Sequence, residues 1–85
     1  MQEIKYIIQD ELGIHARPAG ALVKEAAKFS SKITISNGEK EADAKKLMAI
    51  MMLGIKHGQE IIVKLEGEDE EAAVASVETF LKENL

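Results

Sequence analysis

The order of strand-like and helix-like apolar patterns along the chain constrains its fold most strongly. Three segments show the alternation or the short apolar run typical of strands: residues 4–8, 33–36 and 60–65. The dipeptide Asn37-Gly38 is a hairpin turn signal. It predicts that residues 39–43 return as a polar strand, whose charges would discourage edge-to-edge pairing.

Three other segments favour helices. The first is predicted over residues 16–28, where Ala19, Leu22, Val23 and Ala26 keep helical spacing. The second covers the Met-rich run 47–53, which Gly54 is placed to end. The third follows Asp69, a predicted N-cap, and its apolar stripe is Ala73, Val74, Val77, Phe80 and Leu81. The resulting order predicts an antiparallel or mixed sheet with helices on one face, an α+β two-layer domain.

Composition limits the possible functions. The chain has 85 residues, enough for one domain over 1–85, and 46% of them are apolar. It has no cysteine, which excludes disulfides, thiolate catalysis and zinc–thiolate sites. The net charge of −4 argues against general binding to nucleic acid. Neither a signal peptide nor a membrane-spanning run is visible, so a cytoplasmic location is expected.

Residues 13–18, Gly-Ile-His-Ala-Arg-Pro, carry the chemistry. They place His15 at the predicted start of a helix, beside the backbone N–H groups of Ala16 and Arg17. A helix N-terminus attracts anions, and Arg17 adds a cation whose donors match a phosphate. The pattern favours a histidine that carries a phosphoryl group. A helix cap or a solvated turn residue is the alternative at this point.

The chain resembles the HPr family, the histidine-containing phosphocarriers of the bacterial phosphoenolpyruvate–sugar phosphotransferase system. The resemblance covers essentially the whole chain and is carried by four segments: residues 13–19, 26–31, 45–54 and 67–72. It implies an open-faced two-layer sandwich, with a four-stranded antiparallel sheet in the order 1-4-2-3 and three helices on one face.

The resemblance also implies a role. His15 would accept a phosphoryl group on Nδ1 from phosphorylated enzyme I and pass it to sugar-specific IIA domains. Arg17 would assist the phosphoryl group, together with the backbone N–H groups of Ala16 and Arg17. Such a protein is a stoichiometric carrier and not an enzyme, with no cofactor, and is expected to be a monomer that reaches membrane transporters only through partners. Because the group must move onward, a shallow and exposed site is expected.

Segment 45–54 departs from the family pattern at one position and also predicts a docking surface. The resemblance places Lys46 where many members of the family have a regulatory serine, so regulation by phosphorylation there is expected to be absent. Residues 47, 48, 51 and 52 cannot all face inward on one short helix, so an exposed apolar patch is expected. The resemblance supports Leu47, Met48 and Met51 for partner docking, whereas Ile50 and Leu53 are predicted core residues.

Other features are given no chemical role. His57 reads as a solvated residue after the second helix, and no metal site is expected from two distant histidines without cysteine. The acidic run 66–71 reads as a solvated loop and helix start. Three alternative functions stay open: a regulatory binding protein of the same fold, a module of a specialised phosphorelay, and a small binding module with an incidental histidine. The sugar cannot be read from the sequence.

Overall fold

The computed structural model covers residues 1–85 and contains four strands and three helices. In chain order they are β1 (Gln2–Ile7), α1 (Ala16–Ala26), β2 (Lys32–Ser36), β3 (Glu41–Asp43), α2 (Leu47–Met51), β4 (Glu60–Glu66) and α3 (Glu70–Asn84). The strands form one antiparallel sheet in the order β1-β4-β2-β3. This architecture confirms the predicted fold class and strand order.

The sheet register puts the aliphatic residues of the strands on one face. Ile4 lies opposite Val63, and Val63 lies opposite Ile35, so three buried side chains form a row across three strands. The helices cover this face: Leu22 of α1 and Val77 and Leu81 of α3 are at most 1% exposed. The core is therefore almost wholly aliphatic, and the other face of the sheet is open to solvent.

Two helices end earlier than predicted. α1 ends at Ala26 rather than at residue 28, and α2 ends at Met51 rather than at residue 53. In the second case the N–H of Leu53 bonds to the carbonyl of Ile50, which tightens the last turn. Gly54 then takes a φ of +61° and reverses the chain, as its position predicts.

Asp69 differs from its predicted role. It occupies the N-cap position of α3, but its side chain forms no capping hydrogen bond. Instead its carboxylate accepts the backbone N–H groups of Ser30 at 2.8 Å and Ser31 at 2.9 Å, and also the Ser31 hydroxyl. The side chain therefore joins the turn after α1 to the start of α3.

Candidate functional site

His15 lies immediately before the first residue of α1, as predicted. Its backbone is extended, with φ −103° and ψ −178°, and its side chain forms no capping hydrogen bond. The side chain is 37% exposed. The imidazole of His15 is thus accessible to another molecule, while the helix that follows sets the backbone conformation of this residue.

The loop before His15 is fixed by a close approach between backbones. Gly13 has a φ of +68°, and a Cβ atom there would lie 2.4 Å from the carbonyl oxygen of Ile55. The N–H of the buried Ile14 donates to that same carbonyl at 3.1 Å. Only glycine fits this position, because a side chain would meet backbone atoms in an unfavourable backbone conformation.

The first turn of α1 leaves two hydrogen-bond donors free. The backbone N–H groups of Ala16 and Arg17 have no acceptor within the protein, and Pro18 has no N–H to offer. The first N–H with a helical partner is that of Ala19, which donates to the carbonyl of His15 at 3.0 Å. Two donors beside the imidazole therefore remain available to an anion.

A shallow depression of about 280 Å³ surrounds this helix start. It is lined by Asp10, His15, Arg17, Pro18, Ala21 and Asn84. Arg17 is exposed and forms no ion pair within the protein, so its charge is free to meet an anion. The structure thus brings both predicted residues, His15 and Arg17, to one open site.

Asp10 belongs to this site, although the sequence places it only in a loop. One carboxylate oxygen accepts the N–H of Leu12 at 2.8 Å, and the other lies 3.8 Å from Nε2 of His15. The second distance is too long for a direct hydrogen bond. The Asp10 carboxylate therefore lies close to the imidazole without bonding to it directly. Its position five residues before His15 in a short loop is the only sequence signal for this contact.

A second depression, of about 220 Å³, lies on the open face of the sheet. Its lining includes Lys32 and Lys64, but Glu41 and Glu66 line it too, and Lys64 lies 3.8 Å from Glu41. The side-chain charges are balanced, and neither a histidine nor an arginine lines this surface. This surface therefore offers fewer groups suited to binding an anion or accepting a phosphoryl group than the His15 site does.

The residues of α2 and the turn after it divide into exposed and buried ones, as their spacing predicts. Leu47 is 39% exposed and Met48 is 70% exposed, whereas Ile50 and Leu53 are buried. Met51 is half-buried. Met52, which lies just beyond the end of the helix, is 80% exposed and extends this exposed apolar surface. Because α1 and α2 pack against each other, this apolar patch (Leu47, Met48, Met51 and Met52) lies on the element next to the His15 helix.

The remaining candidates lie apart from this chemistry. Lys46 is the exposed N-cap residue of α2 and makes no capping hydrogen bond, while Lys45 donates to the carbonyl of Phe29 at 2.7 Å. His57 is exposed in the loop between α2 and β4. No group of three or more histidine, cysteine or acidic residues is placed to hold a metal ion. No helix has the length and apolar character needed to cross a membrane.

Comparisons with known proteins agree on one family. The family model described as "PTS HPr component phosphorylation site" matches residues 2–83. The phosphocarrier protein HPr of Mycoplasma capricolum is 44% identical over 77 residues, which cover 91% of this chain and 86% of that protein.

Solved structures give the same result. A histidine-containing phosphocarrier protein from Mycoplasma has a TM-score of 0.93 and 40% identity, over 96% of this chain and 93% of that chain. An HPr from Thermoanaerobacter tengcongensis, described as a dimer, has a TM-score of 0.77 and 37% identity, over 98% and 95% of the two chains. Since the family model, the sequence relative and the solved structures agree, the chain belongs to the HPr family of phosphocarrier proteins.

Proposed function

We propose that the protein accepts a phosphoryl group from phosphorylated enzyme I on Nδ1 of His15 and passes it to sugar-specific IIA domains in the cytoplasm. One observation carries this proposal: His15 stands next to two backbone N–H groups, of Ala16 and Arg17, that have no acceptor in the protein. A phosphoryl group on the imidazole would lie within reach of both donors.

The imidazole supplies the nucleophile. In the neutral tautomer that carries its proton on Nε2, the imidazole has a lone pair on Nδ1, which attacks the phosphorus atom in line with the bond to the donor. The new P–N bond forms as the donor bond breaks, and the electron pair of the broken bond stays with the donor. Donation to a IIA domain is the same step in reverse, with His15 as the leaving group.

The surrounding charges stabilise the transferred group. Its oxygen atoms carry negative charge throughout the transfer, and the positive end of α1, the two free N–H groups and the guanidinium of Arg17 oppose that charge. These donors are in place before the phosphoryl group arrives, so little reorganisation is needed. The shallow site encloses the group on few sides, which keeps the transfer reversible.

Docking is assigned to the apolar patch, with Leu47, Met48 and Met51 as the residues that meet enzyme I and the IIA domains. Exposed leucine and methionine side chains lose water contact on binding and adapt to more than one partner. The protein acts as a stoichiometric carrier, because each molecule holds the group between two partners. We propose a monomer; sedimentation at two protein concentrations would reveal a dimer like that described for the Thermoanaerobacter relative.

Intact mass spectrometry tests the carrier role. The protein is incubated with enzyme I, Mg²⁺ and phosphoenolpyruvate, and the wild type is compared with His15→Ala and His57→Ala. We expect one acid-labile phosphoryl group on the wild type and on His57→Ala, and none on His15→Ala. An unmodified wild type, with an enzyme I that is active on another HPr, would overturn the proposal.

A further inference from the structure

The side chain of Asn37 joins the β2–β3 hairpin to the end of α2. Its Nδ2 group donates to the carbonyl oxygen of Leu53 at 3.1 Å. Its Oδ1 atom accepts the N–H groups of Glu39 at 2.9 Å and Lys40 at 2.8 Å. Two donors on one side and a carbonyl on the other fix the orientation of the amide, and the side chain is half-buried.

The short helix α2 depends on such outside support. It has only five residues, and helices of this length are unstable alone in water. The N–H groups of Met52 and Gly54 still bond back to Met48 and Met51, but the carbonyl of Leu53 lies beyond these turns. Asn37 is the only side chain that donates to this carbonyl. It therefore fixes the C-terminal end of the segment that carries the apolar patch.

The same segment also holds the loop of His15. The carbonyl of Ile55, two residues after Leu53, accepts the N–H of Ile14, and Gly13 packs against that carbonyl. Residues 53–55 are thus bonded to the hairpin at one end and to the residue before His15 at the other. They connect the position of the apolar patch to the position of the phosphoryl acceptor.

We propose that Asn37 is a positioning residue: through its hydrogen bond to Leu53 it sets the place of the apolar patch relative to His15, and so the docking of phosphorylated enzyme I. This inference rests on the proposed carrier function. Asn37 touches neither the imidazole nor its free donors, so it acts on docking and leaves the chemistry of His15 unchanged.

The test uses two variants and a matched control. Asn37→Asp keeps the acceptor for Glu39 and Lys40 but removes the donor to Leu53, and Asn37→Ala removes both without adding charge. Ser36→Ala removes the hydroxyl that accepts the N–H of Gly38 at 3.0 Å, in the same hairpin but without contact to α2. For each, KM and kcat are measured with enzyme I, together with the rate of His15 phosphorylation by phosphoramidate, a small donor that requires no docking.

For both Asn37 variants we expect KM to rise about threefold to tenfold, the effect of one lost hydrogen bond, with kcat and the phosphoramidate rate unchanged. Ser36→Ala should leave all three values unchanged. An unchanged KM in the Asn37 variants, an equal rise in Ser36→Ala, or a slower phosphoramidate reaction would overturn the inference.

Hydrogen exchange separates this inference from the carrier role. The amides of Met52 and Gly54 should exchange faster in Asn37→Asp than in the wild type, whether or not enzyme I phosphorylates the protein. If the wild type takes no phosphoryl group from enzyme I, the carrier function fails; if these amides exchange at the wild-type rate, the positioning role fails.

Discussion

The two ends of α1 are built in opposite ways. At the N-terminal end, two backbone N–H groups have no acceptor, and the N-cap residue His15 makes no capping bond. In the turn that follows the other end, the carbonyl of Phe29 accepts a hydrogen bond from the ammonium group of Lys45, and the N–H groups of Ser30 and Ser31 donate to Asp69. The start of the helix keeps free hydrogen-bond donors, and the turn after its end uses its donors and acceptors within the fold.

The start of α1 is thus available for binding a phosphate, while the turn after its end fixes the helix in the fold. Free N–H groups at a helix start weaken the fold slightly, but they are what a phosphate needs. The hydrogen bonds in the turn after α1 join it to Lys45, before α2, and to Asp69, before α3, so the helix is held in place from its far end. The near end is held through the backbone at Gly13 and Ile14, which leaves the side chain of His15 accessible.

The largest expected effect comes from filling the space at Gly13. Gly13→Ala combines an unfavourable backbone conformation with a clash against the Ile55 carbonyl, so unfolding free energy should fall by about 2–4 kcal/mol. Urea unfolding measures this loss. Gly20→Ala, inside α1 with open space around the glycine, is the control and should stabilise by about 0.5–1 kcal/mol. Equal effects of the two variants would contradict the close approach.

Removing Arg17 should impair transfer without affecting the fold. Arg17→Ala removes a cation that forms no ion pair in the protein, so urea unfolding should be unchanged. The rate of phosphorylation by enzyme I should fall about tenfold to hundredfold, the effect of losing a charge-assisted hydrogen bond to the phosphoryl group. Lys24→Ala, at an exposed position later in α1, is the control. A wild-type rate for Arg17→Ala would remove Arg17 from the site.

The other end of α1 should show the reverse behaviour. Asp69→Asn replaces the carboxylate that anchors Ser30 and Ser31, so stability should fall, by less than in Gly13→Ala, while phosphorylation of His15 keeps its wild-type rate. Stopped-flow phosphorylation and urea unfolding of the same samples check both parts. A slower transfer in this variant would mean that the two ends are not separate.

The pH dependence of this variant gives a sharper test. The hydrogen bond from the Ser31 hydroxyl, followed by that from the Ser30 N–H, holds the pKa of Asp69 below its ordinary value of 3.8. A lowered folded-state pKa stabilises the fold at pH values above the unfolded-state pKa, and this contribution is lost as pH falls through the folded-state pKa. The stability difference between wild type and Asp69→Asn should therefore shrink below pH of about 4. A constant difference down to acid unfolding would contradict the role of the charge.

The smallest effect is expected at the start of α2. Lys46 places a positive charge at a helix N-terminus and offers no capping acceptor. Lys46→Ser supplies an acceptor and removes the charge, so unfolding free energy should rise by about 0.5–1 kcal/mol. Thermal unfolding measures the gain. Lys40→Ser, at an exposed turn position outside any helix, should give none, and a matching gain there would contradict the capping explanation.

Most of the secondary structure follows from local patterns. Alternation in Ile61, Val63 and Leu65 predicts a strand with one buried face, and all three side chains are buried. Helix ends are less accurate: the apolar run continues to Leu53, but tight turn bonds end α2 at Met51. The strand order came from the family resemblance, because local patterns do not determine which strands pair.

At the site, residues close to His15 in sequence could be predicted and distant ones could not. Arg17 is two positions from His15 and shares its helix turn. Asn84, which lines the same depression, comes from the end of the chain, and Asn37 is bonded to Leu53 across 16 positions. The predicted cap at Asp69 is wrong in its contacts, because two serines of another loop compete for the carboxylate. Such contacts depend on how the layers pack, which a linear pattern does not contain.

In the proposed mechanism the free N–H groups at the start of α1 receive the phosphoryl group. Amide ¹H–¹⁵N spectra before and after phosphorylation test it directly, since a new hydrogen bond to a phosphoryl oxygen shifts the donor's amide proton. Large downfield shifts are expected for Ala16 and Arg17 and almost none for Ser30 and Ser31. Unshifted Ala16 and Arg17 amides in a protein phosphorylated on His15 would contradict it.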